Sequence, residues 1–213
     1  MHLRSPRRGT LGALWVCLCS LLPANGLAAP SSPALAVAER QALSEGQRIE
    51  RPLSFTTGQG SYVGGVSYQV VESPPEVVLA ALLDAGNLPS MLPRTRSARV
   101  VSVDAKLTRI ELEQGSAPFI ARYTIVVERS PDQSELRFWL DQRAPHDLRD
   151  VWGFFRAKSF GPGRTLLSVG AAVDLGPGIL RPLLEPRVRS AVLASVTGVR
   201  DFVEPRRLAL LGY

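Results

Sequence analysis

One histidine lies outside the first 28 residues, His146, in the run Ala144-Pro145-His146-Asp147 with Asp150 close behind. An imidazole flanked by carboxylates is the arrangement of a general base, its ring oriented and its pKa raised by the acids. A histidine in a solvated loop has the same local sequence, and no second catalytic group joins this one. Ser-His-Asp chemistry would need a nucleophile elbow of the Gly-x-Ser-x-Gly type, which is absent. Tyr123 carries a hydroxyl within an apolar run, available to a ligand carbonyl or to a backbone partner. No catalytic residue is assigned.

Both cysteines, Cys17 and Cys19, and the other histidine, His2, fall in an N-terminal segment with the layout of a secretory signal. Arg4, Arg7 and Arg8 come without an acid. The apolar stretch from Leu11 to Leu22 follows, and Gly26 and Ala28 supply small residues for cleavage after Ala28. A retained anchor is the rival reading, but this stretch is short of the ~20 apolar residues that a bilayer core requires. Residues 1–28 are therefore expected to direct the chain to the periplasm or the exterior. The remaining chain, about 185 residues with no cysteine, excludes a Cys/His zinc site, a disulfide framework, a thiol nucleophile and thioether-linked haem. Neither metal nor cofactor is expected. Such a chain must be held by its core, and its length suits one domain.

Twenty-five basic and 19 acidic residues give a net charge of +6, which falls to +3 without the three leader arginines. Lys106 and Lys158 are the lysines, and no basic run exceeds Arg206-Arg207, so a nucleic-acid partner is not expected. Arg181, Arg187, Arg189, Arg200, Arg206 and Arg207 either make a peripheral contact with an anionic membrane or decorate a solvated helix face. Oligomeric state leaves no signal.

The elements that would position these groups are legible in the pattern. After a Pro/Ser spacer, Ala34 to Leu43 predicts a short helix, and Arg48 to Phe55 pairs with Ser61 to Val71 as a hairpin whose first strand, with Pro52, is an edge. Glu76 to Asp84 predicts a two-turn helix entered through Pro75, capped by Ser73 and stopped by Gly86. A Pro-bounded segment from Asn87 to Arg94 carries Met91 and Leu92. Six strand signals then run at Arg96 to Val103, Leu107 to Gln114, Pro118 to Arg129, Ser134 to Asp141, Asp150 to Phe160 and Arg164 to Leu175. Hairpin-length turns join most of them, which predicts an antiparallel meander without βαβ crossovers. A long amphipathic helix closes the chain, with Leu183, Leu184, Val188, Ala191, Val192, Ser195, Val196, Val199, Phe202 and Val203 on one stripe.

Strand, Pro-Pro-Glu helix, Leu88-Pro89-Ser90-Met91-Leu92-Pro93, meander and terminal helix together resemble the START-like (SRPBCC) helix-grip superfamily, particularly its polyketide cyclase/dehydrase and coenzyme Q-binding (COQ10-type) branch. Asp147 to Arg156 resembles the corresponding strand of bacterial members. The resemblance implies an α+β fold in which a curved antiparallel sheet wraps around the long C-terminal helix, with a cavity between them for sterols, lipids, polyketides, quinones or hormones. On this basis the domains run 1–28 signal peptide, 29–60 spacer with short helix and edge strand, 61–204 START-like domain and 205–213 tail.

Alternation independently selects the side chains that face such a cavity. On the third to sixth meander strands these include Phe119, Ala121, Tyr123, Ile125, Phe138, Leu140, Gly153, Phe155, Leu167 and Val169, with Val192 and Val196 from the helix; Met91, Leu92 and His146 are placed at the mouth. A fully packed core is the alternative use of the same residues. The set is almost wholly apolar, which favours non-catalytic carriage of a hydrophobic small molecule over a small polyketide cyclase or dehydratase, whose chemistry calls for two or more convergent titratable groups. Enlarging Ala121 or Gly153 to Trp is expected to block uptake in a folded protein.

Overall fold

The computed structural model describes residues 35–210; the signal-peptide and spacer assignments before Leu35 lie outside the described residues. Helix α1 (Val37–Ser44) leads into strands β1 (Ile49–Thr56) and β2 (Ser61–Val71), then α2 (Pro75–Leu83), a 3-10 turn (Ala85–Asn87) and α3 (Leu88–Met91). Strands β3 (Thr95–Val103), β4 (Leu107–Ser116), β5 (Phe119–Arg129), β6 (Glu135–Leu140), β7 (Asp150–Ser159) and β8 (Thr165–Asp174) follow, and α4 (Arg181–Leu210) ends the described chain. The strands form one eight-stranded antiparallel sheet in the order β1-β2-β8-β7-β6-β5-β4-β3. The predicted α+β helix-grip architecture is the observed one, with Pro52 on the edge strand.

The meander closes because β8 returns to pair with β2, Val173 opposite Val63 and Thr165 opposite Val71. α2 and α3 carry the chain from β2 to β3 at the far edge. α4 lies in the concave face, and β2 admits it at Gly65, where a Cβ would come within 2.8 Å of Leu193 Cδ2; at Gly64 a Cβ would instead meet the Ala171 carbonyl of the neighbouring β8. Gly198 of α4 is likewise pressed against the backbone of Met91 in α3. α4 contains Pro186 and Pro205 and continues to Leu210, so the segment assigned as a tail begins inside the helix.

Two local signals act differently from their expected roles. Ser73 does not cap α2: Pro74 stands at the N-cap, and Ser73 is fully buried while its carbonyl accepts from the Thr165 hydroxyl at 2.6 Å. Gly86 does not end α2 either; the helix stops at Leu83, and the Asp84 carboxylate accepts from the Gly86 N–H at 2.9 Å to open the 3-10 turn.

β2 is buried on both faces. Its inner side meets α4, and its outer residues Tyr68 and Val70 lie beneath Leu43 of α1, which is fully buried. Arg51 fastens this outer layer, holding Glu39 at 2.8 Å with its guanidinium 5.2 Å above the Tyr68 ring. The main core lies between sheet and helices, where Val78, Leu79, Leu82 and Met91 meet Leu136, Leu167, Val196 and Val199.

Candidate functional site

Beyond that packed half, sheet and helix diverge around a cavity of about 670 Å3, within the size range of single small-molecule sites. Its floor is the inner face of β4 to β8, its roof is α4 from Leu184 to Ser195, and its rim is formed by Leu92–Arg94, the β4–β5 turn from Gly115 to Ile120, and Asp147–Leu148. The pleat explains the floor: every second residue of β5, Phe119, Ala121, Tyr123 and Ile125, faces the hollow, while Arg122 on the opposite face pairs with Glu113. The wall beside β5 is continued past the short β6 by the Asp141–Arg149 loop. Asp141 N–H donates to the Thr124 carbonyl at 2.8 Å, and Arg122 and Asp147 exchange bonds through Arg122 N–H to Asp147 Oδ2 at 2.8 Å and Asp147 N–H to Arg122 O at 3.0 Å.

Phe119, Ala121, Tyr123, Ile125, Phe138, Phe155, Val169 and Val192 all line this cavity, with the Phe138 and Phe155 rings 5.5 Å apart. Leu140, Gly153, Leu167 and Val196 do not. Leu140, Leu167 and Val196 are buried in the main core, where α2 and α3 fill the space between sheet and α4. Gly153 is covered by the Phe138 ring, and a side chain there would strike the Gly170 carbonyl of the neighbouring strand. Gly153→Trp would thus disrupt the sheet rather than block the hollow, and Ala121 is the position that tests it.

At the mouth, Leu92 lines the rim, whereas Met91 is buried at 1% exposure and packs into the core. His146 is exposed and outside the lining; its Nδ1–H donates to the Leu148 carbonyl at 2.7 Å. The acids expected to orient it are committed elsewhere, Asp147 to the Arg122 amide and Asp150 to the Tyr62 hydroxyl at 2.7 Å. The general-base arrangement is not assembled.

Tyr123 donates its hydroxyl not to backbone but to Gln114 Oε1, and Gln114 Nε2 donates to Thr95 Oγ1 at 2.6 Å. Burial pushes the Tyr123 phenol well above its ordinary pKa. Gln114 belongs to the site unannounced by composition, yet the alternation Ile110, Leu112, Gln114 along β4 carries the signal. Arg94 and Arg187 also line the cavity; neither stands on the apolar stripes that alternation selects. Ser195, the remaining polar group of the roof, donates to the Ala191 carbonyl at 3.0 Å. Among the described residues no group of three or more His, Cys, Asp or Glu could hold a metal ion, and no helix is long and apolar enough to cross a membrane.

Solved structures with this fold include a protein of Thermus thermophilus (21% identity, TM-score 0.57, 68% of this chain and 97% of that one). The Zhui aromatase/cyclase of Streptomyces sp. R1128 aligns at 14% identity and TM-score 0.57 over 77% of this chain and 99% of its own. A STAR-related lipid transfer protein of Xanthomonas axonopodis aligns at 11% identity and TM-score 0.52 over 71% and 98%. No curated protein matches in sequence. At these identities the structures speak for the fold alone. The family model for "Polyketide cyclase / dehydrase and lipid transport" matches residues 71–199, more than half of the chain, so the protein belongs to the polyketide cyclase/dehydrase and lipid transport family.

Proposed function

We propose that the protein binds and carries a hydrophobic small molecule, a lipid, quinone or polyketide-like compound, in the cavity between sheet and α4, without chemistry and outside the cytoplasm. The observation that carries this reading is the hollow itself: about 670 Å3 walled by aliphatic and phenyl groups, with its one phenol closed off by Gln114. Burying an apolar ligand against such walls contributes roughly 25 cal/mol per Å2 removed from water. A cyclase or dehydratase would need an acid and a base converging on substrate. The acid on the lining, Asp147, is engaged by the Arg122 amide, and His146 is outside the lining with its Nδ1–H on the Leu148 carbonyl. Export is supported by the leader pattern of Arg4, Arg7, Arg8, Leu11 to Leu22 and Ala28.

Native mass spectrometry with solvent extraction, on protein recovered from the exterior or periplasm without detergent, tests both parts. A stoichiometric apolar adduct on a chain beginning after Ala28 is expected, and Ala121→Trp should lose the adduct while keeping its fold. A clean apo mass with no uptake from a lipid and quinone panel, or an unprocessed N-terminus, would overturn the corresponding part.

A further inference from the structure

The polar side chains of the inner lining each have a hydrogen-bond partner within the protein: Tyr123 bonds to Gln114, Gln114 to Thr95, and Ser195 to the Ala191 carbonyl. The rim differs. Arg94 and Arg187 both line the opening, and neither has an ion pair or side-chain hydrogen bond among the described residues; the Arg187 guanidinium lies over the Phe119 ring, 6.0 Å from its centroid. Other arginines of α4 are committed: Arg181 to Glu185 at 2.6 Å, Arg189 to Ser54 at 2.7 Å, Arg200 to Asp201 at 2.9 Å, and Arg206 to the Phe202 carbonyl at 2.9 Å. Among the described side chains of α4, the guanidinium without such a partner is that of Arg187, at the mouth.

The β4–β5 turn borders both. Gly115 N–H donates to the Arg94 carbonyl at 2.8 Å, and Phe119, four residues on, lies beneath Arg187. Arg94 adopts a left-handed backbone, φ 61°, which a non-glycine residue holds only where its surroundings impose it. With Asp147 as the acid on the lining, the rim carries one net positive charge.

Resting on the cavity reading above, we propose that the ligand is an amphipath with one anionic end, its apolar body in the hollow and its carboxylate or phosphate at Arg94 and Arg187. Within the hollow the Tyr123 and Ser195 hydroxyls and one N–H of Gln114 are already donated to protein acceptors, and no side chain there is cationic, whereas guanidiniums at an open rim bind an oxyanion through charge-assisted hydrogen bonds while leaving it partly hydrated.

The test uses two fluorescent probes that differ only in a sulfonate, 8-anilinonaphthalene-1-sulfonate and N-phenyl-1-naphthylamine, on the purified full chain and its Arg94→Gln/Arg187→Gln variant. The ratio of sulfonate-probe to neutral-probe affinity should fall about fivefold in the variant, the size expected of partly exposed charge pairs. Competition by dodecanoate and dodecyl phosphate against dodecanol names the source: at least one anion should displace the neutral probe better than the alcohol in the natural chain, and the stronger of the two identifies the end group. An unchanged ratio, or equal displacement by alcohol and both anions, overturns the anionic end and leaves the cavity reading standing. Failure of the natural chain to take up either probe overturns both.

Discussion

Tyr62 is the phenol whose environment best translates into a pH dependence. It is buried against the Phe55 ring at 5.1 Å and donates to Asp150, and burial first, then that bond, raise its pKa to about 12. Tyr123 is shifted in the same direction by burial. A phenol with a folded pKa above its unfolded value of about 10 contributes stability that is fully present below pH 10 and is lost as pH climbs through the folded pKa. Chemical denaturation midpoints measured from pH 9 to 12 should therefore fall, and Tyr62→Phe should fall less steeply than the natural chain. Parallel slopes for the two proteins would show that Tyr62 ionises as freely folded as unfolded. Tyr123 is poorly suited to this comparison, because its replacement by Phe also strips Gln114 Oε1 of its donor, at a cost of about 1–3 kcal/mol for a buried polar group.

Between elements, stability turns on a few close approaches that a side chain would close. Gly198 lets α3 lie directly on α4; a Cβ there would collide with the Met91 carbonyl, backbone that cannot swing aside. Gly198→Val should cost about 2 kcal/mol or more through overpacking, read as a lower denaturation midpoint, while Gly58→Ala in the β1–β2 turn, with open space around it, serves as the tolerated control. Such approaches mark where the sequence is silent. Strands were legible to within a residue or two because alternation and turn residues are local: β2 spans Ser61–Val71 as its pattern predicts, and β7 and β8 each fall one residue short at their C-terminal ends. The cavity floor was legible for the same reason, since Phe119 to Ile125 obey the pleat. Its extent was not. Leu140, Leu167 and Val196 point to the same side as the lining, and only the placement of α2 and α3 decides that they meet protein instead of space. The rim arginines escaped because guanidiniums on polar faces look like ordinary surface until the fold sets them at the edge of one cavity.

Across the molecule, the concave side divides into a packed half and a hollow half along one helix. From Leu184 to Ser195, α4 roofs the cavity; from Val196 to Val203 its buried residues lock into a core shared with Val78, Leu79 and Leu82 of α2. The packed half, together with α1 on the outer face of β2, holds the fold, which leaves the hollow free to stay empty or fill without unfolding. That division predicts separable effects. Leu79→Ala removes a side chain that is 1% exposed in the packed half and should lower stability by about 2–4 kcal/mol. The increment gained on adding N-phenyl-1-naphthylamine should survive, because a ligand stabilises by RT ln(1 + [L]/Kd) and Kd is set elsewhere. Ala121→Trp should behave oppositely, keeping the apo midpoint and losing the increment. Thermal midpoints of the three proteins with and without the probe decide it. A Leu79→Ala protein that loses the increment would mean that core packing shapes the hollow, and that the two halves of α4 act as one cooperative unit.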